Sequence, residues 1–206
     1  MEHRITDLAA LKAAYPVEPA GLSLTKEMPV VTPLYRELIE AAPFCVLATM
    51  TDRGVDCSPR GDAPGFVRVR DEHTLELPDR RGNNRLDSLR NIIADPRVGL
   101  IFLIPGWREC VRVRGTAYLS TEPELLESHA VRGKLPASVI VVEVERIYFQ
   151  CSRAILRSKL WSADAQVDRA AVPTPGMLGE EAGDFDHAQA ERYDAQSPQR
   201  QLDSLY

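Results

Sequence analysis

The stretch that decides how the chain is read is Leu77–Ile93, LPDRRGNNRLDSLRNII, where an extended run, HTLELP, breaks into a loop rich in Arg, Asn and Gly and the loop opens a helix. A helix start leaves backbone N–H groups without intrahelical partners and carries the positive end of the helix dipole. An anion docked there meets donors already aimed at it. Arg80, Arg81 and Arg85 add guanidinium forks suited to phosphate, and Ser88 falls about one turn from Arg85 on the same face. Capping explains the same residues differently: Asn83 or Asn84 can cap the helix, and Asp87 suits its first turn. Both readings stay open on these residues alone. The chain holds no Walker-type loop, GxGxxG, HExxH or CxxC.

Outward from this loop the period is extended. Upstream, FCVLATMT reads as a buried strand, DRG as a turn into VDCSPRG, and FVRVR and HTLELP alternate on either side of Asp71-Glu72. Downstream, a helix from Arg85 to Ala94 ends at Asp95-Pro96. VGLIFLI, a Pro105-Gly106 turn and RECVRVRGTAYLS follow, then a brief helix capped by Thr121 and the strand SVIVVEVERIYFQC. Six or seven strands at hairpin spacing with helices at the edges predict an antiparallel barrel, mainly β with α elements. A Rossmann sheet would need a helix between most strands.

Two helices lead in. Thr6 and Asp7 can cap ITDLAALKAAY, and Thr32 caps TPLYRELIEAA with Pro33 at its first position. After SRAILRSKLW the chain turns acidic and mostly loses periodicity, a composition that suits disorder, although Leu202, Leu205 and Tyr206 could pack on a partner subunit. The expected organisation is a helical lead-in over 1–42, a barrel over 43–161 and an acidic extension over 162–206.

The formal charge of −5 is uneven: Phe44–Ser120 carries 12 Arg against 10 Asp and Glu, net +2, while Ala163–Tyr206 carries 3 Arg against 9, net −6. So even a balance favours a small anionic ligand over nucleic acid. The four cysteines, Cys45, Cys57, Cys110 and Cys151, lack metal-ligand spacing, so no metal site is expected. MEHRITDLAALKAAYP lacks the apolar core of a signal peptide and no run reaches membrane-spanning length, which predicts a cytoplasmic protein away from membranes.

In order, ATMTDRGVDCSPRGDAPGFVRV, LPDRRGNNRLDSLRNI and VGLIFLIPGWRECVRVRG resemble the flavin-binding split barrels of the pyridoxamine 5′-phosphate oxidase class, nearest its FMN-dependent enzyme branch. The resemblance spans Pro43 to Trp161 and implies a six- to seven-stranded Greek-key split barrel with peripheral helices, and a homodimer with two FMN sites at the interface, each built by both chains. It implies Arg85, Ser88 and Asn84 at the FMN phosphate, and Ser58, Arg60, Gly61 and Asp62 on a strand beside the isoalloxazine ring. Pro78 and Asp79 would lie at the ring's pyrimidine edge. Cys110 matches the place of a Gln reaching from the other subunit, and Trp161 an aromatic that can cover the flavin.

Bland readings accompany these: Gly61 can mark a bulge, Cys110 can be a buried thiol, and Trp161 can plug the barrel. His73 and His129 receive no catalytic role, and no catalytic residue is assigned. The substrate-gripping Arg and His signature of the classical oxidases is replaced by SRAILRSKLWSAD, which argues against vitamin B6 oxidation; Arg157 and Lys159 could hold an anion there. The resemblance implies an FMN oxidoreductase acting through flavin N5, with a small molecule as its partner. The alternatives are a non-catalytic flavin or haem carrier or sensor on the same barrel, and a deazaflavin in place of FMN.

Overall fold

The computed structural model describes residues 3–52 and 54–206. The chain is an antiparallel, Greek-key split barrel of seven strands with peripheral helices. The strands are β1 Phe44–Thr51, β2 Gly54–Gly61, β3 Arg68–Val69, β4 Thr74–Asp79, β5 Arg97–Leu103, β6 Cys110–Ser120 and β7 Ser138–Gln150. They lie in the order β2-β1-β5-β6-β7-β4-β3. Three consecutive strands, β5 to β7, form a meander, and β4 returns beside β7, which is the Greek-key signature. Of the DRG turn expected between β1 and β2, Arg53 lies outside the described residues.

Alternation sets the inner face. Cys45 and Leu47 of β1, Leu100 and Phe102 of β5, Val111 and Val113 of β6, and Ile140 and Val142 of β7 are all buried in one core. Helix α3, Pro33–Ala41, contributes the fully buried Ile39, and α4, Asp87–Ala94, contributes Ile92. Each such side chain stabilises the fold by about 1.5–3 kcal/mol. The one register shift between β6 and β7 falls at Arg114/Gly115, and a Cβ on Gly115 would lie 1.9 Å from the Glu143 carbonyl oxygen. Only glycine admits that backbone approach. Gly61 makes no bulge: β2 pairs with β1 in unbroken register from Phe44↔Gly61 to Thr51↔Gly54.

Strands β2 and β3 are the free edges, and Pro59 sits in β2, where a missing N–H costs no ladder bond. Between these edges lies the split, bridged by side chains rather than by strand pairing. Arg60 of β2 pairs with Asp79 of β4 at 3.2 Å, and Asp62 with Arg80 at 2.9 Å.

The other helices are α1 Leu8–Ala14, α2 Leu22–Thr25, α5 Pro123–Ser128, α6 Arg153–Ser158, α7 Pro175–Glu181 and α8 His187–Asp203. Asp7 caps α1 by accepting from the Ala10 N–H at 2.8 Å. Glu122, not Thr121, is the N-cap of α5. The largest departure from expectation is the acidic tail, which is helical rather than disordered. A capping box of Asp186 and Gln189 starts α8, and Asp194 accepts from the Gly176 N–H at 2.8 Å. A Cβ on Gly176 would meet the Ala190 carbonyl oxygen at 2.4 Å, so this helix pair is joined by close backbone approach and polar bonds instead of an apolar stripe.

Candidate functional site

A cleft of about 560 Å³ opens at the split, between edge strand β2, the loop after β4 and the first turn of α4. That volume suits a cofactor or small-molecule ligand. Asp56, Ser58 and Arg60 share one face of β2 by the two-residue period and all line the cleft. Asp79 and Arg80 come from the end of β4, and Asn84, Arg85 and Ser88 from the loop and helix.

The helix start departs from the capping expected of the asparagines, although Asp87 does occupy its first turn. Helix α4 begins at Asp87, two positions later than the expected Arg85, and its N-cap is Leu86 with no side-chain cap bond. Neither asparagine caps it. Asn83 instead accepts from the Arg85 N–H at 3.1 Å, an Asx-type turn. Asn84 and Leu86 both take left-handed backbone, at φ 56° and 60°. For Leu86 this conformation costs about 1–2 kcal/mol, and such strain gathers at ligand sites. The first-turn N–H groups of Asp87, Ser88 and Leu89 therefore have no side-chain cap, and all three residues line the cleft.

Side chains around the cleft also hold unspent donors. Arg85 is 74% exposed and, among the described residues, its side chain makes one ion pair, to Asp87 at 2.8 Å. Ser88 is buried, and its hydroxyl makes no hydrogen bond among the described residues. Arg60 reaches Asp79 through a terminal nitrogen, leaving its Nε buried without a partner. Burial pushes the Asp79 carboxyl up, against the pull of Arg60.

Gly61 and Asp62 line a neighbouring groove rather than this cleft, and Pro78 is buried in β4 opposite Val139. Asp62 is the most heavily bonded acid here. It accepts from Arg80 Nε at 2.9 Å, from the Ala63 N–H at 2.7 Å and from the Tyr206 hydroxyl at 2.5 Å. Burial raises its pKa, but those three donors together hold the carboxyl below its ordinary range.

Cys110 and Trp161 are not brought to the cleft within their own chain. Cys110 is buried at the start of β6, where burial pushes its thiol up, and the Trp161 indole donates to the Trp107 carbonyl at 2.7 Å. Lys159 pairs with Asp164 at 3.1 Å. All four cysteines are free, with Cys57 and Cys151 exposed, and burial pushes the Cys45 thiol up to about 12.

Sequence reasoning missed a buried polar network beneath the site. Glu76 and His129 are both buried and meet at 3.2 Å, and Arg70 Nε donates to Glu76 at 2.5 Å. Burial first, then Arg68, pushes the His129 pKa down against the pull of Glu76. The His129 carbonyl accepts from Arg80 at 2.7 Å, which ties this network to the cleft. Both faces of β4 are buried from Leu75 to Pro78, and His129, which follows α5, meets Glu76 there. Among the described residues no group of three His, Cys, Asp or Glu could hold a metal ion, and no helix is long and apolar enough to cross a membrane.

The model of one protein family, described as pyridoxamine 5′-phosphate oxidase, matches residues 31–151, more than half of the chain. No curated protein matches. Among solved structures the chain is similar to HupZ of Group A Streptococcus, at 22% identity over 59% of this chain and 95% of that one, with a TM-score of 0.48. General Stress Protein 26 of Bacillus anthracis is similar at 16% identity, 55% and 88% coverage and a TM-score of 0.43. An FMN-binding protein of Syntrophomonas wolfei is similar at 13% identity, 55% and 82% coverage and a TM-score of 0.42.

Proposed function

The chain belongs to the pyridoxamine 5′-phosphate oxidase family, and on that premise we propose that it binds FMN in the cleft at the split and acts as an FMN-dependent oxidoreductase on a small organic molecule. One observation carries the reading: donors without partners, namely the first turn of α4, Ser88 and Arg60 Nε, gather around one cleft beside the barely engaged Arg85. That donor set fits a phosphate at one end and the polar edge of a flavin at the other. We assign Arg85, Ser88 and Asn84 to the phosphate, Ser58 and Arg60 to the ring, and Asp79 to its pyrimidine edge; Gly61 and Asp62, which line the adjoining groove, and the buried Pro78 stand outside this contact set. Bound FMN supplies redox chemistry at ring N5; the residues of the chain bind and orient it. The barrel, residues 43–161, is the flavin-binding unit of this proposal.

The working unit is a homodimer in this reading. A second concavity on the outer face of the sheet, lined by Val46, Ala48, Ile101 and Tyr148, shares Cys57 with the cleft. The apolar stripe of α1 is uncovered as well, with Leu8 82% exposed. A second copy seated there would abut the cleft and deliver Cys110 and Trp161 from across the interface.

Purified protein is expected to be yellow, dimeric by analytical ultracentrifugation, and to release FMN on denaturation. A colourless protein that fails to take up added FMN overturns the proposal. A non-catalytic flavin carrier is the second reading, favoured by the lack of any histidine among the residues lining the cleft. Anaerobic mixing with NADH or NADPH separates the two: bleaching of bound flavin supports the enzyme, and no reduction by any donor supports the carrier.

A further inference from the structure

A second groove, of about 890 Å³, adjoins the cofactor cleft and shares Arg80, Arg81, Gly82 and Asn83 with it. Its far wall is the end of α8 together with Leu205 and Tyr206. That wall is fastened to the barrel at Tyr206. The phenol donates to Asp62 at 2.5 Å, the Tyr206 carbonyl accepts from Lys134 at 2.6 Å, and the Arg132 guanidinium lies 5.4 Å from its ring.

The charge of this groove runs against that of the tail forming it. Among the residues lining it, Arg80, Arg81 and Arg200 share the groove with one acidic side chain, Asp62, which already accepts from Arg80, Tyr206 and the Ala63 N–H. Arg81 has no ion pair among the described residues, and Arg200 rests only on the Tyr193 ring, at 4.8 Å. The Asn83 amide nitrogen is also uncommitted, because that residue spends its oxygen on the Arg85 N–H. Donors therefore exceed acceptors, and the surplus consists of two guanidinium groups on opposite walls.

We propose that this groove is a binding site for a small organic anion, a carboxylate or phosphate monoester, clamped between Arg81 of the barrel and Arg200 of the C-terminal helix. Guanidinium forks bind both groups in bidentate fashion, and two forks from separate elements set the ligand's position as well as its charge. That the anion is the substrate of the neighbouring cofactor rests on the flavin reading above; recognition of the anion does not. The C-terminal helix thereby becomes part of the substrate site.

The test is calorimetric titration of the full chain, loaded with FMN, with benzoate and phenyl phosphate as anionic probes and benzyl alcohol as the neutral control. One or both anions are expected to bind and the alcohol not. The double variant Arg81→Ala, Arg200→Ala should weaken anion binding by about tenfold or more, the loss expected from removing charge-assisted hydrogen bonds. In Arg200→Ala alone, whose side chain lines the groove and not the cofactor cleft, FMN affinity read by flavin fluorescence should match wild type while anion binding weakens. The proposal is overturned if neither anion binds the wild-type protein, if the double variant binds them as well as wild type does, or if the alcohol binds equally. If the protein takes up no FMN, the flavin reading fails alone. The same titrations on the Arg85→Ala background then report on the groove with the proposed phosphate site disabled.

Discussion

Arg80 and Arg85 belong to one loop, yet Arg80 commits its donors to the Asp62 carboxylate and the His129 carbonyl, whereas Arg85 is largely exposed and pairs with the nearby Asp87. The difference separates scaffold from site. Around Arg80 a continuous run of polar partners, Glu76, His129, Arg80, Asp62 and Tyr206, closes the split and ties the C-terminal segment down. Around Arg85 the helix start is uncapped and Leu86 is held in left-handed backbone, an arrangement that costs stability and keeps donors available.

Removing Arg80 tests the scaffold half most severely. In Arg80→Ala, Asp62, whose side chain is 5% exposed, keeps its charge and loses its ion-pair partner. Urea unfolding should show a loss of about 3 kcal/mol, the lower end for breaking a buried pair. Arg85→Ala should change stability by less than about 0.5 kcal/mol, as for an exposed side chain. Equal losses in the two variants would erase the distinction.

Arg85→Ala should act on the ligand instead. FMN affinity is expected to drop by about 10- to 100-fold, the value of one or two charge-assisted bonds, and fluorescence titration measures it. Retention of FMN at wild-type strength would show that the loop is not the phosphate site.

Acid should reach the scaffold through His129. Its folded pKa is depressed, so the unfolded chain takes up the proton first; the stabilisation is complete above the ordinary histidine pKa of 6.5 and is lost as pH falls through the folded value. Urea midpoints should fall from about pH 8 to about pH 5, and the slope should flatten in His129→Asn. Asp62, also depressed, adds a loss only below its ordinary 3.8. Asp79, raised by burial, acts with the opposite sign, gaining stability as it protonates.

The smallest effect is expected at Leu86. Leu86→Gly relieves the left-handed conformation but loosens the unfolded chain, for a net gain of about 0.5 kcal/mol in unfolding experiments. Asn84→Gly should gain less, because asparagine tolerates that conformation. A net loss at Leu86 would mean that the loop is not strained.

Much of the barrel was legible because alternation is a local signal: β1, β5 and β7 coincide with FCVLATMT, VGLIFLI and SVIVVEVERIYFQ to within a residue or so. The polar loop before α4 was legible by composition. The burial of Glu76 was not, since its strand alternates like a half-exposed one, whereas both its faces are buried and His129, far along the chain, meets Glu76 there. The tail was misread for a related reason: α7 and α8 pack through Gly176 and Asp194, which no apolar period announces.

The sequence by itself determined the strands, the turn residues and the cluster of Arg and Asn beside a helix start, because each depends on neighbours within about one turn or hairpin of chain. Tertiary structure alone decided which guanidinium groups are spent and which are free. Whether Arg80 finds Asp62, His129 and, through Asp62, Tyr206 depends on contacts between segments far apart in the chain, and no local pattern encodes the meeting of their charges.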